Sequence, residues 1–166
     1  MKLLGVMFLV FIVSSGCTTQ EQDVPADTAE SHRQLAERWG EAVSSQNFEM
    51  MSSLMADDYV WHLASGDVAG FDKVKTRFEG LFNGFPDFKL MPIDVVSDGK
   101  KVVVRWSVSG THLGEYLGVE PTGNRVEFFT ISIDVVRDGK FAEGWEAVDA
   151  LGLRTQLGFK LEPPEG

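Results

Sequence analysis

The 166-residue chain contains a single cysteine and only three histidines. One cysteine cannot form an intramolecular disulfide, so a disulfide framework is excluded. The histidines are scattered and no cysteine pair accompanies them, so the spacing of a metal site is absent. The sequence also lacks a glycine-rich phosphate loop and a nucleophile elbow, which argues against nucleotide binding and serine-hydrolase chemistry.

Basic residues are fewer than acidic residues. The sequence has 15 Lys and Arg against 25 Asp and Glu, which gives a formal net charge of −10. Such a surface repels phosphate backbones and anionic lipid head groups. No basic stripe interleaved with aromatic residues is present, so we expect no nucleic-acid partner. In contrast, the twelve Phe and four Trp are sufficient for a sizeable core.

The N-terminus carries the one long apolar run, Leu3 to Val13, which follows Lys2 and precedes small residues. A short basic region, an apolar stretch of this length and small residues before a cleavage site are typical of a secretory signal. The run is too short to span a bilayer, which needs roughly 20 apolar residues as a helix. We therefore predict a signal peptide at residues 1–16 and an exported protein.

Cys17, preceded by Gly16, resembles the cysteine of the lipobox of bacterial lipoproteins, although Ser14 stands where that motif usually has an aliphatic residue. The alternative is an ordinary signal cut before the same cysteine, which would leave a lone thiol in an oxidising compartment. The resemblance implies an acylated Cys17 and a bacterial envelope protein that contacts the membrane through its lipid anchor only. Because Thr18 rather than aspartate follows, we expect the outer membrane where the cell has one.

Residues 17–30 are polar and carry no strong apolar stripe, so we predict a flexible tether. Helical periodicity then predicts helices from Ser31, whose pairing with Gln34 has the form of a capping box, from Asn47 and from Phe71. Alternating patterns predict five strands and a last short helical piece at 151–157. The predicted strands are Tyr59 to Leu63, Phe88 to Val96, Lys101 to Thr111, Arg125 to Val136 and Phe141 to Val148.

Helices followed by an antiparallel meander are typical of an α+β domain, which we place at residues 31–160 with a tail at 161–166. We expect a curved antiparallel sheet packed on three N-terminal helices around an apolar pocket. On the strand from Lys101, alternation places Val102, Val104, Trp106, Val108, Gly110 and His112 on one face.

The segment GTHLGEYLGVEPTGNRVEF, Gly110 to Phe128, resembles the signature of the SnoaL-like polyketide cyclase family, also called ester cyclases, within the NTF2-like superfamily. Further matching pieces include Phe85-Pro86-Asp87 and Glu143 to Glu146, so the resemblance covers about residues 35–158. It implies an NTF2-like cone, often a dimer, with a hydrophobic pocket and no metal or organic cofactor. In the best-known members, a carboxylate aided by a histidine closes a polyketide ring by an intramolecular aldol condensation.

The resemblance also suggests catalytic residues. His112 falls on the histidine of the family's G-T-H motif, and we expect it at the mouth of the pocket; His62 lies near another position where members often have histidine. The family's acid–base aspartate corresponds to Ser132, with Asp134 two residues on and on the same strand face. Either Asp134 supplies the carboxylate from a shifted position, or the catalytic acid is missing and the pocket only binds.

We expect the pocket to hold a small hydrophobic molecule. Glu146 is a reserve candidate for the carboxylate, and His32 is expected on the exposed part of the first helix. The residues predicted to line the pocket are Trp61, Trp106, Val108, Phe128, Thr130, Ser132, Trp145 and Glu146.

Two functions stay open at this point. One is a lipoprotein enzyme of the SnoaL-like ester cyclase family that cyclises or isomerises a carbonyl compound by cofactor-free acid–base chemistry. The other is a non-catalytic envelope lipoprotein that binds a small apolar ligand. Polyketides are normally cyclised where they are made, in the cytoplasm, so export favours binding or a diverged reaction.

Lipidation of Cys17 can be tested directly. We expect the full-length protein, expressed in a Gram-negative host, to incorporate a fatty-acid label and to fractionate with membranes, because two or more acyl chains give stable anchoring. Cys17→Ser should remove the label and release the protein from the membrane fraction, whereas Thr18→Ser should change neither. A processed, unlabelled wild-type protein with a free thiol would support the ordinary signal instead.

Overall fold

The computed structural model describes residues 26–160; the predicted signal peptide, Cys17 and the tail at 161–166 lie outside the described residues. None of the described helices is both long and apolar enough to cross a membrane. The elements follow in chain order as α1 (Ala26–Ser44), α2 (Phe48–Ser53), β1 (Met55–Leu63), β2 (Gly66–Ala69), α3 (Phe71–Gly84), β3 (Lys89–Ser97), β4 (Lys101–Thr111), β5 (Arg125–Arg137), β6 (Lys140–Val148) and α4 (Ala150–Gln156).

The predicted α+β class is confirmed: the strands form one curved, unclosed sheet that packs with the helices. The strand order is β2-β1-β6-β5-β4-β3. The predicted antiparallel meander is β3 to β6. However, β1 joins β6 in parallel, and residues 66–69, between the predicted first strand and the helix from Phe71, form a further strand. Parallel partners are not joined by a short turn, so this pairing leaves no local sequence signal.

Helix α1 begins earlier than predicted. It starts at Ala26, inside the segment predicted as tether, so Ser31 is an interior residue whose hydroxyl donates to the Thr28 carbonyl at 2.8 Å. A capping box at Ser31 is therefore wrong. His32 lies on the buried face of α1, where its Nδ1 is 2.7 Å from the Ser97 hydroxyl on β3. His32 is 5% exposed rather than on the surface, because it lies three residues before buried Leu35.

The helix packs tightly on β3 through Gly40. A Cβ at this position would stand 2.8 Å from the Leu90 carbonyl oxygen, closer than side chains pack. Glycine costs about 1 kcal/mol in a helix interior relative to alanine, and here the close approach of helix and strand requires it. This contact holds α1 against β3, the strand at one edge of the sheet.

The alternation predicted for β4 is present. Val102, Val104, Trp106 and Val108 are each at most 3% exposed and face the helices. Full burial of a valine side chain contributes roughly 1.5–3 kcal/mol relative to exposure, so this row is a large part of the core energy.

His62 ties three strands together on the outer face of the sheet. Its Nδ1 lies 2.8 Å from Asp67 on β2, and its Nε2 lies 2.9 Å from Glu143 on β6. The imidazole also stacks on Trp145, with the ring centroids 4.9 Å apart. Both nitrogens donate to carboxylates only when the ring is protonated, and these hydrogen bonds, with Asp67 first, raise the pKa of His62.

The hydrogen bonds of His62 to Asp67 and Glu143 stabilise the fold, and because the pKa of His62 is raised in the folded state, this stabilisation depends on pH. The contribution is fully present below the unfolded pKa of His62 and is lost as the pH rises through its folded pKa. We expect His62→Gln to lower the free energy of unfolding more at pH 5.5 than at pH 9. Denaturant titrations of both proteins at the two pH values measure this, and the difference between them cancels other titrating groups. An equal loss of unfolding free energy at both pH values would contradict a stabilising role for protonated His62.

Candidate functional site

A cavity of about 450 Å³ lies between the inner face of the sheet and the helices. Helix α3 contributes Arg77, Phe78 and Leu81 to its wall, because Leu81 follows the other two by four and three positions and so shares a helical face with them. The loop from β4 to β5 closes part of the mouth with Tyr116 and Leu117. Tyr116 and Val119 pair with each other through two backbone hydrogen bonds of 3.0 and 3.1 Å, which fix the loop as a small hairpin.

Most of the predicted pocket residues line this cavity. They lie on β1, β4, β5 and β6, on the strand face that looks towards the helices. The cavity-lining residues that the sequence predicted are Trp61, Trp106, Val108, Phe128, Thr130, Ser132, Asp134 and Glu146.

Two of the predicted site residues lie on the opposite side of the sheet. Trp145 is 37% exposed on the outer face, where it stacks on His62. Neighbouring residues of a strand point to opposite faces, so Trp145 cannot share the cavity with Glu146, nor His62 with Trp61. The predictions that placed Trp145 in the pocket and His62 among its catalytic groups require a correction: both belong to the outer surface.

His112 does not line the cavity either. It is fully buried at the base of the β4–β5 loop, where its ring lies 5.3 Å from the Phe85 ring. The Thr122 backbone N–H donates to Nδ1 at 3.3 Å, and the His112 backbone bonds to Asn124 and Gly123 at 2.9 Å each. Across residues 26–160, its Nε2 is the only buried side-chain nitrogen or oxygen without a hydrogen-bond partner. His112 therefore anchors the loop and is not among the residues that line the cavity, contrary to its expected place at the mouth.

Polar groups are gathered on one strip of the cavity wall. In the register of β5 and β6, Ser132 lies opposite Glu146 and Asp134 lies opposite Gly144. The Trp106 indole donates to the Ser132 hydroxyl at 3.0 Å, and the Thr130 hydroxyl donates to Glu146 at 2.6 Å. Thr130, Ser132 and Asp134 on β5 and Glu146 on β6 thus all face the cavity. The carboxyl groups of Asp134 and Glu146 therefore lie on neighbouring strands of the same wall.

The two carboxyl groups are held in different environments. Asp134 is 7% exposed, and burial raises its pKa to about 7. A hydrogen bond from Ser132 opposes this shift and the charge of Glu146 adds to it. Burial also raises the pKa of Glu146, but the Thr130 hydrogen bond and the positive charge of Arg77 both oppose it. The environment therefore favours the neutral form of Asp134 and partly restores the ionised form of Glu146.

Sequence reasoning missed Tyr59, which faces both carboxyl groups. It is 7% exposed and lines the cavity, and its pKa is raised by burial first and by the charges of Asp134 and Glu146. Its position two residues before Trp61 on β1 places both on one strand face, a signal that could have identified it. Arg77 was also missed; its guanidinium lies 5.8 Å from the centre of the Trp61 ring.

In the described part of the chain, no group of three or more His, Cys, Asp or Glu side chains is arranged to hold a metal ion. The polar residues that line the cavity carry carboxyl, hydroxyl, indole, amide and guanidinium groups, and aromatic side chains surround them. They can donate and accept hydrogen bonds and can move protons.

Comparisons with known proteins agree on the fold. Among solved structures, AclR from Streptomyces galilaeus is 27% identical with a TM-score of 0.73, covering 82% of this chain and 87% of its own. TsrD from Streptomyces laurentii is 28% identical with a TM-score of 0.71, covering 78% and 96%. IdmH from Streptomyces antibioticus is 29% identical with a TM-score of 0.69, covering 76% and 98%. AclR has been proposed to be a hydroxylase and IdmH a polyketide cyclase.

A search of curated proteins finds no match. The family model described as SnoaL-like polyketide cyclase matches residues 33–157, from the first turns of α1 to the end of α4. Because this match covers most of the chain and the cone fold is shared with solved polyketide cyclase structures, the chain belongs to the SnoaL-like polyketide cyclase family, with an NTF2-like fold.

Proposed function

We propose that the cavity cyclises or isomerises an apolar carbonyl compound by cofactor-free acid–base chemistry, with the Asp134 carboxyl group as its acid. The observation that carries the proposal is this buried carboxyl, whose pKa of about 7 lies in an otherwise largely aromatic and aliphatic cavity. A catalytic acid is most effective when its pKa is near the working pH, and such groups typically contribute about 10²–10⁴-fold to rate.

The walls of the cavity suit a fused or folded ring system. Its volume of about 450 Å³ is in the range of small-molecule sites. Trp61 and Phe78 both line the cavity, and their nearly parallel rings stack with centroids 5.9 Å apart. A cavity that holds a flexible substrate folded converts ring closure into a step between neighbouring groups, which lowers its entropic cost. IdmH, a proposed polyketide cyclase of similar fold, supports this class of reaction.

A second function is supported by Ser132. On the family resemblance, this serine corresponds to the catalytic aspartate, and its hydroxyl accepts the Trp106 indole hydrogen. A serine hydroxyl is itself a poor acid–base group near neutral pH, so this position does not supply the carboxyl group that the family uses. On this alternative, the protein binds a small apolar molecule without converting it. Export and acylation at Cys17 remain part of both proposals, and they rest on the N-terminal sequence alone.

The protonated state of Asp134 can be tested through stability. A folded pKa of about 7 against an unfolded value near 3.8 means that the folded protein binds the extra proton between these values, so stability falls as the pH rises through this window. Asp134→Asn removes this penalty. We expect the variant to gain roughly 2–4 kcal/mol relative to wild type on going from pH 4 to pH 8, from about 1.4 kcal/mol per pKa unit.

Denaturant unfolding at the two pH values measures this gain, with Asp138→Asn in the exposed β5–β6 turn as the matched control. The control retains Asp134, so its stability should change between the two pH values by the same amount as that of wild type. A stability difference between Asp134→Asn and wild type that does not vary with pH would mean that Asp134 is ionised at an ordinary pKa.

Turnover separates the two functions. Full-length protein in detergent is incubated with bicyclic and tricyclic β-keto esters and with unsaturated ketones that can isomerise, and products are followed by absorbance and mass spectrometry. On the catalytic proposal, Asp134→Asn lowers kcat/KM by about 10²–10⁴-fold and Asp138→Asn leaves it unchanged. Saturable binding with every compound recovered unchanged would instead support the binding function.

A further inference from the structure

Leu117 has a backbone conformation that leucine rarely adopts. Leu117 and Gly118 are the two central residues of the small hairpin between Tyr116 and Val119, and their φ angles are 53° and 75°. Positive φ at both positions is typical of a type I′ turn, whose first central position usually carries Asn, Asp or Gly. In a leucine this conformation brings Cβ close to the following carbonyl oxygen, which costs free energy. The turn itself therefore gives no reason for a leucine.

The β5–β6 turn provides a comparison within the same chain. Its central residues, Asp138 and Gly139, have φ angles of 54° and 71°, nearly the same as those of the hairpin at Leu117. Here the first position carries an aspartate, as this conformation favours. Neither residue of the β5–β6 turn lines the cavity, whereas Leu117 does. The unfavourable residue thus occurs in the turn that lies at the cavity mouth.

Packing within the fold does not explain Leu117 either, because its side chain is 63% exposed. The loop that carries it is nevertheless well anchored. The Gly114 backbone N–H donates to the Gly84 carbonyl at 3.1 Å, and the Tyr116 ring packs edge-on against Phe85 with centroids 5.1 Å apart. The loop therefore holds an exposed leucine at the mouth at the cost of backbone strain. Strain that the surrounding structure maintains in this way is common at ligand-binding positions.

The cavity changes character along β5. The β4–β5 loop directly precedes this strand, so the hairpin at Leu117 belongs to the N-terminal end of β5. From this end, the cavity-lining residues of β5 pass from apolar to ionisable in the order Phe128, Thr130, Ser132 and Asp134. At about 3.4 Å per residue, Phe128 and Asp134 are roughly 20 Å apart along the strand. A ligand that reaches both ends is therefore elongated, with a polar group at one end and an apolar group at the other.

We propose that Leu117 is a specificity-determining residue that covers the apolar end of an elongated ligand, whose polar end lies at the carboxyl groups of Asp134 and Glu146. The inference rests on the proposed use of the cavity as a small-molecule site, and it holds whether or not the ligand is converted. Contact with Leu117 removes apolar surface of both partners from water. An Asn or Asp, which would suit the turn better, cannot supply this contact.

Leu117→Asn tests the proposal because its effects on stability and on binding have opposite signs. Asparagine adopts positive φ more readily than leucine, so we expect the Tm to rise by about 2–5 °C. The affinity for 4-octylphenol, whose extended length is comparable with that of the cavity, should fall by roughly 5- to 20-fold, since the variant loses the apolar surface that the ligand covers. The shorter 4-ethylphenol does not reach Leu117, so its affinity should not change.

Binding of both phenols is followed through tryptophan fluorescence, because Trp39, Trp61 and Trp106 line the cavity. Full-length wild type and variants are compared at one detergent concentration, so that partition of the probe into micelles cancels from each ratio of Kd values. Thermal unfolding by circular dichroism gives the Tm of each protein and shows that it is folded.

Two matched variants separate the turn from the side chain. Leu117→Met keeps an apolar side chain at the same position, so its Tm and its affinity for 4-octylphenol should stay close to those of wild type. Asp138→Leu places a leucine in the equivalent turn away from the cavity. It should lower the Tm by a few degrees and leave the affinities for both phenols unchanged.

A wild-type protein that does not bind 4-octylphenol saturably, or a Leu117→Asn variant that loses affinity for both phenols equally, would overturn the proposal. A lower Tm in Leu117→Asn would show that the leucine is there for stability and would overturn it as well. These outcomes are distinct from failure of the proposed reaction. A selective loss of 4-octylphenol binding without turnover of any ketone retains the role of Leu117 and rejects the reaction. Turnover that depends on Asp134, with unchanged 4-octylphenol affinity in Leu117→Asn, does the reverse.

Discussion

Removal of the Asp134 carboxyl group from water is the constraint on which the site depends. The structure keeps this group 7% exposed inside an apolar cavity, and the resulting pKa of about 7 corresponds to roughly 4 kcal/mol of differential interaction between its two protonation states. The packed row of β4 and the helices above it maintain the dry surroundings that cause the shift. Opening the cavity to solvent would return Asp134 to an ordinary carboxylate and remove its capacity to act as an acid near neutral pH.

The alternation of residues along the strands brings further polar side chains to the same cavity wall as Asp134. Thr130, Ser132 and Asp134 are successive cavity-facing positions of β5, and the register with β6 brings Glu146 opposite Ser132. A shift of this register by one residue would turn every one of these groups to the outer face. Gly144 adds the local space that lets Tyr59 approach from β1. The chemistry of the cavity is thus a property of strand register as much as of residue type.

The sequence was sufficient for the cone, the meander and the face of β4 that is buried, because these follow from periodicity. It also placed Ser132 and Asp134 on one strand face, since residues two apart along a strand share a face. Glu146 was only a reserve candidate, and the register that brings it opposite Ser132 is a finding of the structure. It failed where two adjacent residues were both assigned to the pocket, as with Trp145 and Glu146, although alternation forbids this. The parallel β1–β6 pair could not be found from local pattern, and Tyr59 was missed because its partners come from β5 and β6.

The positions of the histidines have a consequence for the chemistry. All three lie within residues 26–160, and none lines the cavity: His32 packs on β3, His62 bridges carboxylates on the outer face, and His112 anchors the loop. The resemblance to the family led us to expect a carboxylate aided by histidine. With the imidazole groups outside the cavity, the ionisable side chains that line it are carboxyl, phenol and guanidinium groups, among them Asp134, Glu146 and Tyr59. The two carboxyl groups can fill complementary roles because one is deeply buried while the other receives a hydroxyl hydrogen bond and the field of Arg77.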